Sequence, residues 1–423
     1  MKKTITSDFF TTLSKEQFFS SLKSLTFRLP YLSTWKDIEK ANESLKNYIE
    51  ADSSSSVFSY YNWRTAIYRT LKTLWVWAWD EVVVCSYNCI SVVNTIIQLW
   101  ATPIYVDIDD ELWIDLDDLK QKISNKTKVV IFQHTFWIVS NSFCDAVAFC
   151  KEKNILTIED CAHSLWSKID WKHLWNFWDF AIFSTWRDKV ISSVTWWFLL
   201  VNNKSYIEKF EKDYLKLTSP DTELIIKNHL YNIFFFVAIK TYDFLGLWKV
   251  IIYLVRQFNL ITPILTTSEK NCMYSDFCYK LPNSLAYLFL RQLENIDLVK
   301  STRKSNFDLY SEKIHNLKNF KLLKISWEFN CFRIILISEN ENTKNELVDF
   351  MRKNRIFLWT SWSWTNICPV WSNLEFAKYT PWSCPKAEKI GKTSVSLPNH
   401  TRLNKNDIDR VINLIIDFDN SIS

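Results

Sequence analysis

Of 423 residues only Gly246 and Gly391 are glycine, while twenty-two are tryptophan. A soluble chain of this length ordinarily carries about 30 glycines, roughly 7% of its residues. The shortage constrains the fold, because tight turns, helix ends and close backbone approaches need a residue that tolerates positive φ. Tryptophan nevertheless stands where turns are expected. Leu74-Trp75-Val76-Trp77-Ala78-Trp79-Asp80-Glu81 precedes one apolar run, and Trp196-Trp197 opens another. The two residue types together number 24, near an ordinary glycine total. The expectation is that most of these tryptophans stand where the functional protein has glycine. A codon decoded as glycine in the source and as tryptophan here would produce this pattern. A genuinely aromatic-rich protein is the competing explanation.

The bulk numbers exclude several classes of function. Length allows two domains, or one large domain with a smaller appendage. A net charge of +5, from 51 basic and 46 acidic residues spread along the chain, gives no nucleic-acid footprint. Met1-Lys2-Lys3-Thr4 has no apolar stretch behind it, so a cytoplasmic location without a signal peptide is expected. Ten cysteines are scattered, and no second pair or histidine cluster answers Cys85 and Cys89, so no metal site is expected. The stretch from Tyr231 to Phe258 is apolar but broken by Lys240, Asp243, Lys249 and Arg256, too often to span a bilayer. A helical pair packed on the protein or at a dimer contact is expected there, rather than a membrane-surface element.

From about Asn62 to Val201, helical patterns alternate with short apolar runs: Glu81-Val82-Val83-Val84, Pro103 to Asp107, Lys128 to Phe132, Ile155 to Asp160, Phe180 to Ser184 and Phe198 to Val201. Such alternation predicts an α/β fold around a mostly parallel sheet. Ligands of such sheets bind beyond the carboxyl ends of the strands. Residues 202 to 270 read as helical, with an apolar insertion around 225–262, and a long helical pattern runs from Ser284 to His315. The tail mixes short strands with helices. The expected organisation is an N-terminal extension over 1–56, a large α/β domain over 57–270 and a small C-terminal α+β domain over 271–423.

Three segments carry chemistry. With glycine for Trp63, residues 62 to 71 become a turn running into a helix, which suits a phosphate. Ile158-Glu159-Asp160-Cys161-Ala162-His163 places an acid at the end of a buried strand. Phe183-Ser184-Thr185-Trp186-Arg187-Asp188-Lys189 puts a lysine in the loop after the next strand. Each alone is weak; an acid, a serine and a lysine at successive strand ends, downstream of a phosphate-type turn, are stronger together.

These residues resemble the DegT/DnrJ/EryC1/StrS sugar aminotransferases, pyridoxal-phosphate enzymes of fold type I. The matching stretches are NWRTAIYRTLKTLWVWAWDEVVV, NTIIQLWATPIYVDID, FQHTFWIVSNSFCDA, IEDCAHSLW and FSTWRDKVISSVTWWFLLVN, in family order. Family glycines fall on Trp63, Trp75, Trp79, Trp100, Trp137, Trp166, Trp196 and Trp197. Trp35, Trp113, Trp248 and Trp327 lie outside these motifs. The resemblance implies that Lys189 carries pyridoxal 5'-phosphate and moves the substrate proton, and that Asp160 pairs with the pyridinium nitrogen. It implies that His163 lies near the ring, and that the backbone amides of Thr65 and Ala66, with the Ser184 hydroxyl, hold the phosphate. A keto-sugar substrate that is nucleotide-linked, glutamate as amino donor and a homodimer follow by the same resemblance.

Some positions depart from the family pattern. Cys89 replaces the ring-stacking aromatic, leaving His134 or Tyr87 to supply that face. Cys278 and Lys280 stand where many members offer Asn and Arg to a neighbouring subunit. Family dehydratases lack the lysine, so Lys189 speaks against that reaction. An enzyme acting on an amino acid and a non-catalytic binding protein are both compatible with the same scaffold.

Overall fold

The computed structural model describes residues 3–7, 13–27, 36–137, 140–169, 172–263, 271, 278–323 and 331–422; Trp35 and Trp327 lie outside them. In chain order the structure runs β1 (Ile5–Thr6), α1 (Lys15–Phe27), α2 (Lys36–Tyr48), β2 (Ser56–Tyr60), α3 (Trp63–Thr73), β3 (Glu81–Cys85), β4 (Asn88–Cys89), α4 (Ile90–Gln98), β5 (Thr102–Val106), α5 (Leu116–Lys122), β6 (Thr127–Gln133), α6 (Phe143–Glu152) and β7 (Leu156–Asp160). A small hairpin, β8 (Lys168–Ile169) and β9 (Lys172–His173), leads to β10 (Phe180–Ser184), β11 (Trp197–Val201), α7 (Ile207–Leu215), α8 (Thr222–Lys240) and α9 (Leu247–Gln257).

The central sheet has seven strands in the order β2-β11-β10-β7-β6-β3-β5. Strands β3, β5, β6, β7 and β10 run parallel, whereas β11 pairs antiparallel with both β10 and β2. Val82, Val83 and Val84 are fully buried, as are Val129 to Phe132, because helices cover both faces of a parallel sheet. Each such side chain contributes about 1.5–3 kcal/mol by leaving water. The α/β reading of residues 62–201 is therefore borne out, strand for strand. The helical pattern from Ser284 divides at Glu294-Asn295 into two helices, Asn283–Leu293 and Ile296–Lys313. A three-stranded antiparallel sheet of Phe320–Leu322, Ile334–Ser338 and Ser394–Leu397 forms the centre of the C-terminal part. The N-terminal segment is not a loose extension: β1 pairs with Ile356–Phe357 of that part, and α1 packs on α8.

Backbone geometry bears directly on the tryptophans. Trp75, Trp79, Trp100, Trp166, Trp364 and Trp382 all have φ between 59° and 80°. Helices α3 and α4 each end in a paired motif. Val76 N–H reaches Leu71 O while Trp75 N–H reaches Lys72 O, and Ala101 and Trp100 repeat the pattern on Ile96 and Ile97. This helix ending seats a left-handed residue just past the cap, where glycine is preferred and asparagine tolerated. Asn154 after α6 and Asn259 after α9 fill the same seat conventionally. Trp113, Trp178 and Trp196 also bury an indole N–H that meets no acceptor among the described residues.

Candidate active site

Asp160 closes β7 between Gln133 of β6 and Ile182 of β10. Its Oδ1 accepts the Ala162 N–H at 3.0 Å. Burial raises its pKa, opposed by that N–H and by the charges of Lys189 and His134. A buried acid in this setting favours a cationic partner. The next strand, β10, ends at Ser184, whose hydroxyl accepts the Trp186 N–H at 3.1 Å. The following loop folds back so that Lys189 N–H bonds Trp186 O, and Thr185 is held to Ser193. Lys189 Nζ thereby comes 2.9 Å from His163 Nε2 and 3.7 Å from Asp188 Oδ1. His163 Nδ1 accepts the Phe136 N–H at 3.2 Å, and desolvation with the nearby Lys189 and Arg333 charges holds its pKa well below the usual value. The imidazole stays neutral, with Nε2 as the ring atom nearest the lysine side chain.

The structure thus brings Asp160, His163, Ser184 and Lys189 to the carboxyl ends of adjacent parallel strands. Thr65 and Ala66 lie at the start of α3, but their amides are engaged within the helix. Thr65 N–H donates to the Asn62 side chain at 2.9 Å, and Ala66 N–H to Asn62 O at 3.2 Å. The reading of these two amides as phosphate donors is corrected to that extent, because Asn62 is an N-cap and caps satisfy first-turn donors. The Asn-x-x-Thr spacing could have signalled it.

The ring-stacking question also has an outcome. His134 does not face the lysine: its Nε2 lies 2.6 Å from Glu159 Oε1, both fully buried, and its ring stacks on Trp113. Tyr87 meets Phe136 edge-on. It is Phe136 whose plane lies within 8° of the His163 ring, at 6.4 Å, and sequence reasoning missed it. Cys89 lies in β4, which pairs with Ile367–Cys368 of the C-terminal part. Cys278 and Lys280 belong to the segment alongside β2: Lys280 bridges to Tyr60, and its Nζ sits 4.9 Å from the Tyr214 ring.

The C-terminal part supplies residues that the sequence motifs did not reveal. Arg333 is buried, 3.5 Å from Asp188 and 4.0 Å from the Trp359 ring. Trp362 stands 5.2 Å from His163 and 5.8 Å from Phe136. Among the described residues no group of three or more histidine, cysteine or acidic side chains could hold a metal. The donor set fits pyridoxal phosphate: a buried carboxylate at a strand end, a lysine amine in the adjoining loop and a serine hydroxyl between them. The Phe136 ring and the Trp362 indole lie against His163, which neighbours these groups in sequence and fold.

Comparison with known proteins agrees with the geometry. The sequence model of the DegT/DnrJ/EryC1/StrS aminotransferase family matches residues 30–210 and 266–416. GDP-perosamine synthase of Escherichia coli O157:H7 is 24% identical over 367 residues, covering 84% of each chain. The enzyme of the same name from Vibrio cholerae is 23% identical, over 85% of this chain and 86% of its own. The putative sugar aminotransferase Spr1654 of Streptococcus pneumoniae, in its PLP form, superposes with a TM-score of 0.75 at 19% identity, covering all of both chains. The arrangement of strands and helices is accordingly that of a fold-type-I transferase, and the chain belongs to the DegT/DnrJ/EryC1/StrS aminotransferase family of pyridoxal-phosphate enzymes.

Proposed function

We propose that the protein transfers an amino group from glutamate to a keto sugar, nucleotide-linked, for glycan biosynthesis, as a cytoplasmic homodimer. The observation that carries this reading is the Lys189–His163 contact at 2.9 Å, set beside the buried Asp160 carboxylate. The names of the relatives, GDP-perosamine synthase among them, support the sugar. The donor and the dimer rest on the family resemblance.

Lys189 is assigned to hold the cofactor and to move the proton at the substrate carbon. Bound there, pyridoxal phosphate supplies an electron sink for the developing carbanion. Asp160 would pair with the protonated ring nitrogen, whose positive charge would offset the burial that raises its pKa. His163, neutral and 2.9 Å from Lys189 Nζ, would orient that side chain beside the ring. The Ser184 hydroxyl, at the end of β10, would contribute to holding the phosphate.

The same proposal includes glycine at most tryptophan positions. Its support is the positive φ at six of them, the two helix ends that seat Trp75 and Trp100, and Trp362 standing over His163. The test is to purify the protein with glycine at these positions and assay glutamate-dependent amination of nucleotide-linked keto sugars. Cofactor uptake with release of 2-oxoglutarate is expected. Failure of the glycine protein to take up pyridoxal phosphate would falsify the assignment, and peptide masses of the protein from its source would decide the glycine reading separately.

A further inference from the structure

The hairpin α8–α9 lies between residues 210 and 266, the interval that the family match omits. Asp221 caps α8 by accepting the Leu224 N–H at 2.7 Å, and Gly246, with φ of 72°, starts α9. Helix α9 buries Ile252 and Val255, and it packs on α8. Its other side should then be polar. Instead Val250, Tyr253 and Leu254, which share one side at helical spacing, are exposed, and Phe258 follows at 68% exposure. The turn joining the helices carries Phe244 and Leu245, the latter 91% exposed. No element among the described residues covers this face.

Charge selects what does cover it. Helix α9 contains Lys249 and Arg256, both exposed and seven positions apart on one flank, and it contains no acid. Lys240 ends α8 nearby. The single acid of the turn, Asp243, is already engaged by Arg355 and Thr4. Helix α1, which also packs on α8, leaves Phe19 and Phe27 exposed beside Lys15 and Lys23, with Glu16 its one acid. A two-fold contact through this face would set cations against cations. A projecting apolar turn, rimmed by lysine and arginine, instead matches an anionic lipid surface, where an amphipathic helix sinks its apolar side about 5–10 Å.

We propose that the α8–α9 hairpin docks this enzyme on an anionic membrane surface, with the Phe244-Leu245 turn and the outer face of α9 inserted. Attachment is peripheral, since no described helix is long and apolar enough to cross a membrane. This departs from the expectation of a packed pair or dimer contact, and it holds whichever sugar is aminated. The hairpin also adjoins the active site. Tyr231 of α8 lies 4.1 Å from the Arg187 guanidinium, Asn228 reaches the Tyr61 hydroxyl at 2.7 Å, and the chain after α9 returns to Arg187 through Thr262 O at 2.8 Å.

Sedimentation with vesicles tests the proposal on the full chain, and the hairpin's one tryptophan, Trp248, stacks on Tyr242 rather than joining the exposed face. Binding to vesicles of phosphatidylglycerol and phosphatidylcholine is expected, with little on phosphatidylcholine alone. Leu245→Glu with Leu254→Glu should cut binding at least tenfold. Lys249→Gln and Arg256→Gln, both on exposed side chains that folding does not need, should each cost about fivefold and flatten the salt dependence. Absence of binding to the anionic vesicles by the unaltered chain overturns the proposal. So does a leucine-to-glutamate variant that converts a dimer to a monomer in sedimentation equilibrium, since a second copy would then cover the face.

Discussion

Glycine at Trp75, Trp79, Trp100 and Trp382 should stabilise the chain, one position at a time. These residues hold φ of 59°, 80°, 62° and 68° while 74%, 85%, 75% and 72% exposed. A left-handed conformation costs an L-residue about 1–2 kcal/mol. The indoles stand mostly in water, so truncation forfeits little of the about 1.5–3 kcal/mol that full burial of a large side chain brings. Glycine's extra freedom in the unfolded chain offsets about 0.5–1 kcal/mol. The net gain is about 0.5–1 kcal/mol per site, and about 2–4 kcal/mol for the four if they act independently. That is a large share of an ordinary folding stability of about 5–15 kcal/mol. Trp77 and Trp371 are the controls: 62% and 61% exposed, but absent from the positive-φ positions. Glycine there relieves no strain and should lower stability by about 0.5–1 kcal/mol. Urea midpoints of the six single variants make the comparison. If both sets shift in the same direction, the strain reasoning is wrong.

Further outcomes follow from the site and from buried histidines. In the glycine-restored protein, Lys189→Ala should lose the long-wavelength absorbance of bound cofactor together with activity; retention of both on dialysis would remove the lysine from its assigned role. Asp160→Asn should leave the fold intact but cost about 3–5 kcal/mol of the buried charge pairing, roughly a hundred- to several-thousand-fold in rate. His163→Gln keeps a donor and an acceptor and should lose less than about tenfold, whereas His163→Ala should lose about 10- to 100-fold through an unmet polar partner; equal losses would make the histidine mere packing. Finally, His229 is buried neutral with its pKa pushed down to about 3 by desolvation, so only the unfolded chain gains its proton below about pH 6.5. Its contribution is complete above that pH and is lost as pH falls toward about 3, about 2 kcal/mol between pH 6.5 and 5. His229→Gln should flatten that slope by one proton in urea melts, and an unchanged slope would place the titration elsewhere.

What the sequence disclosed and what it hid have physical causes. Strands β3, β6, β7 and β10 were legible because parallel strands buried on both faces read as unbroken apolar runs, and Asp160, Ser184 and Lys189 sit at or just after their ends. Phe136 and Arg333 were not, for different reasons. Phe136 lies inside a recognised motif, but only its backbone, at φ of 56°, turns the ring parallel to His163. Arg333 is distant in sequence and reaches Asp188 only because the C-terminal sheet docks beside the lysine loop. The uncovered side of α9 was equally hidden, since an apolar helix pattern is the same whether its second face meets protein or lipid.

The two glycines that remain sharpen the matter of the twenty-two tryptophans. Gly246 has φ of 72° with open space around it, so only its backbone disfavours a larger residue, whereas a Cβ on Gly391 would stand 2.3 Å from Thr365 O. Trp364 has φ of 69°, donates its N–H to Gly391 O, and belongs to the same crossing of chains. A fold that requires glycine on one side of that crossing and accepts an indole-bearing residue in the left-handed region on the other is locally inconsistent, whereas natural sequences agree across levels. The same inconsistency recurs at the ends of α3 and α4, far from this crossing in sequence. Left-handed strain at sites so far apart supports the glycine proposed for these positions. Trp364 also donates its indole N–H to Asn345 Oδ1 at 2.8 Å, so Trp364→Gly should gain less than the exposed sites, and a gain equal to theirs would show that this contact contributes nothing.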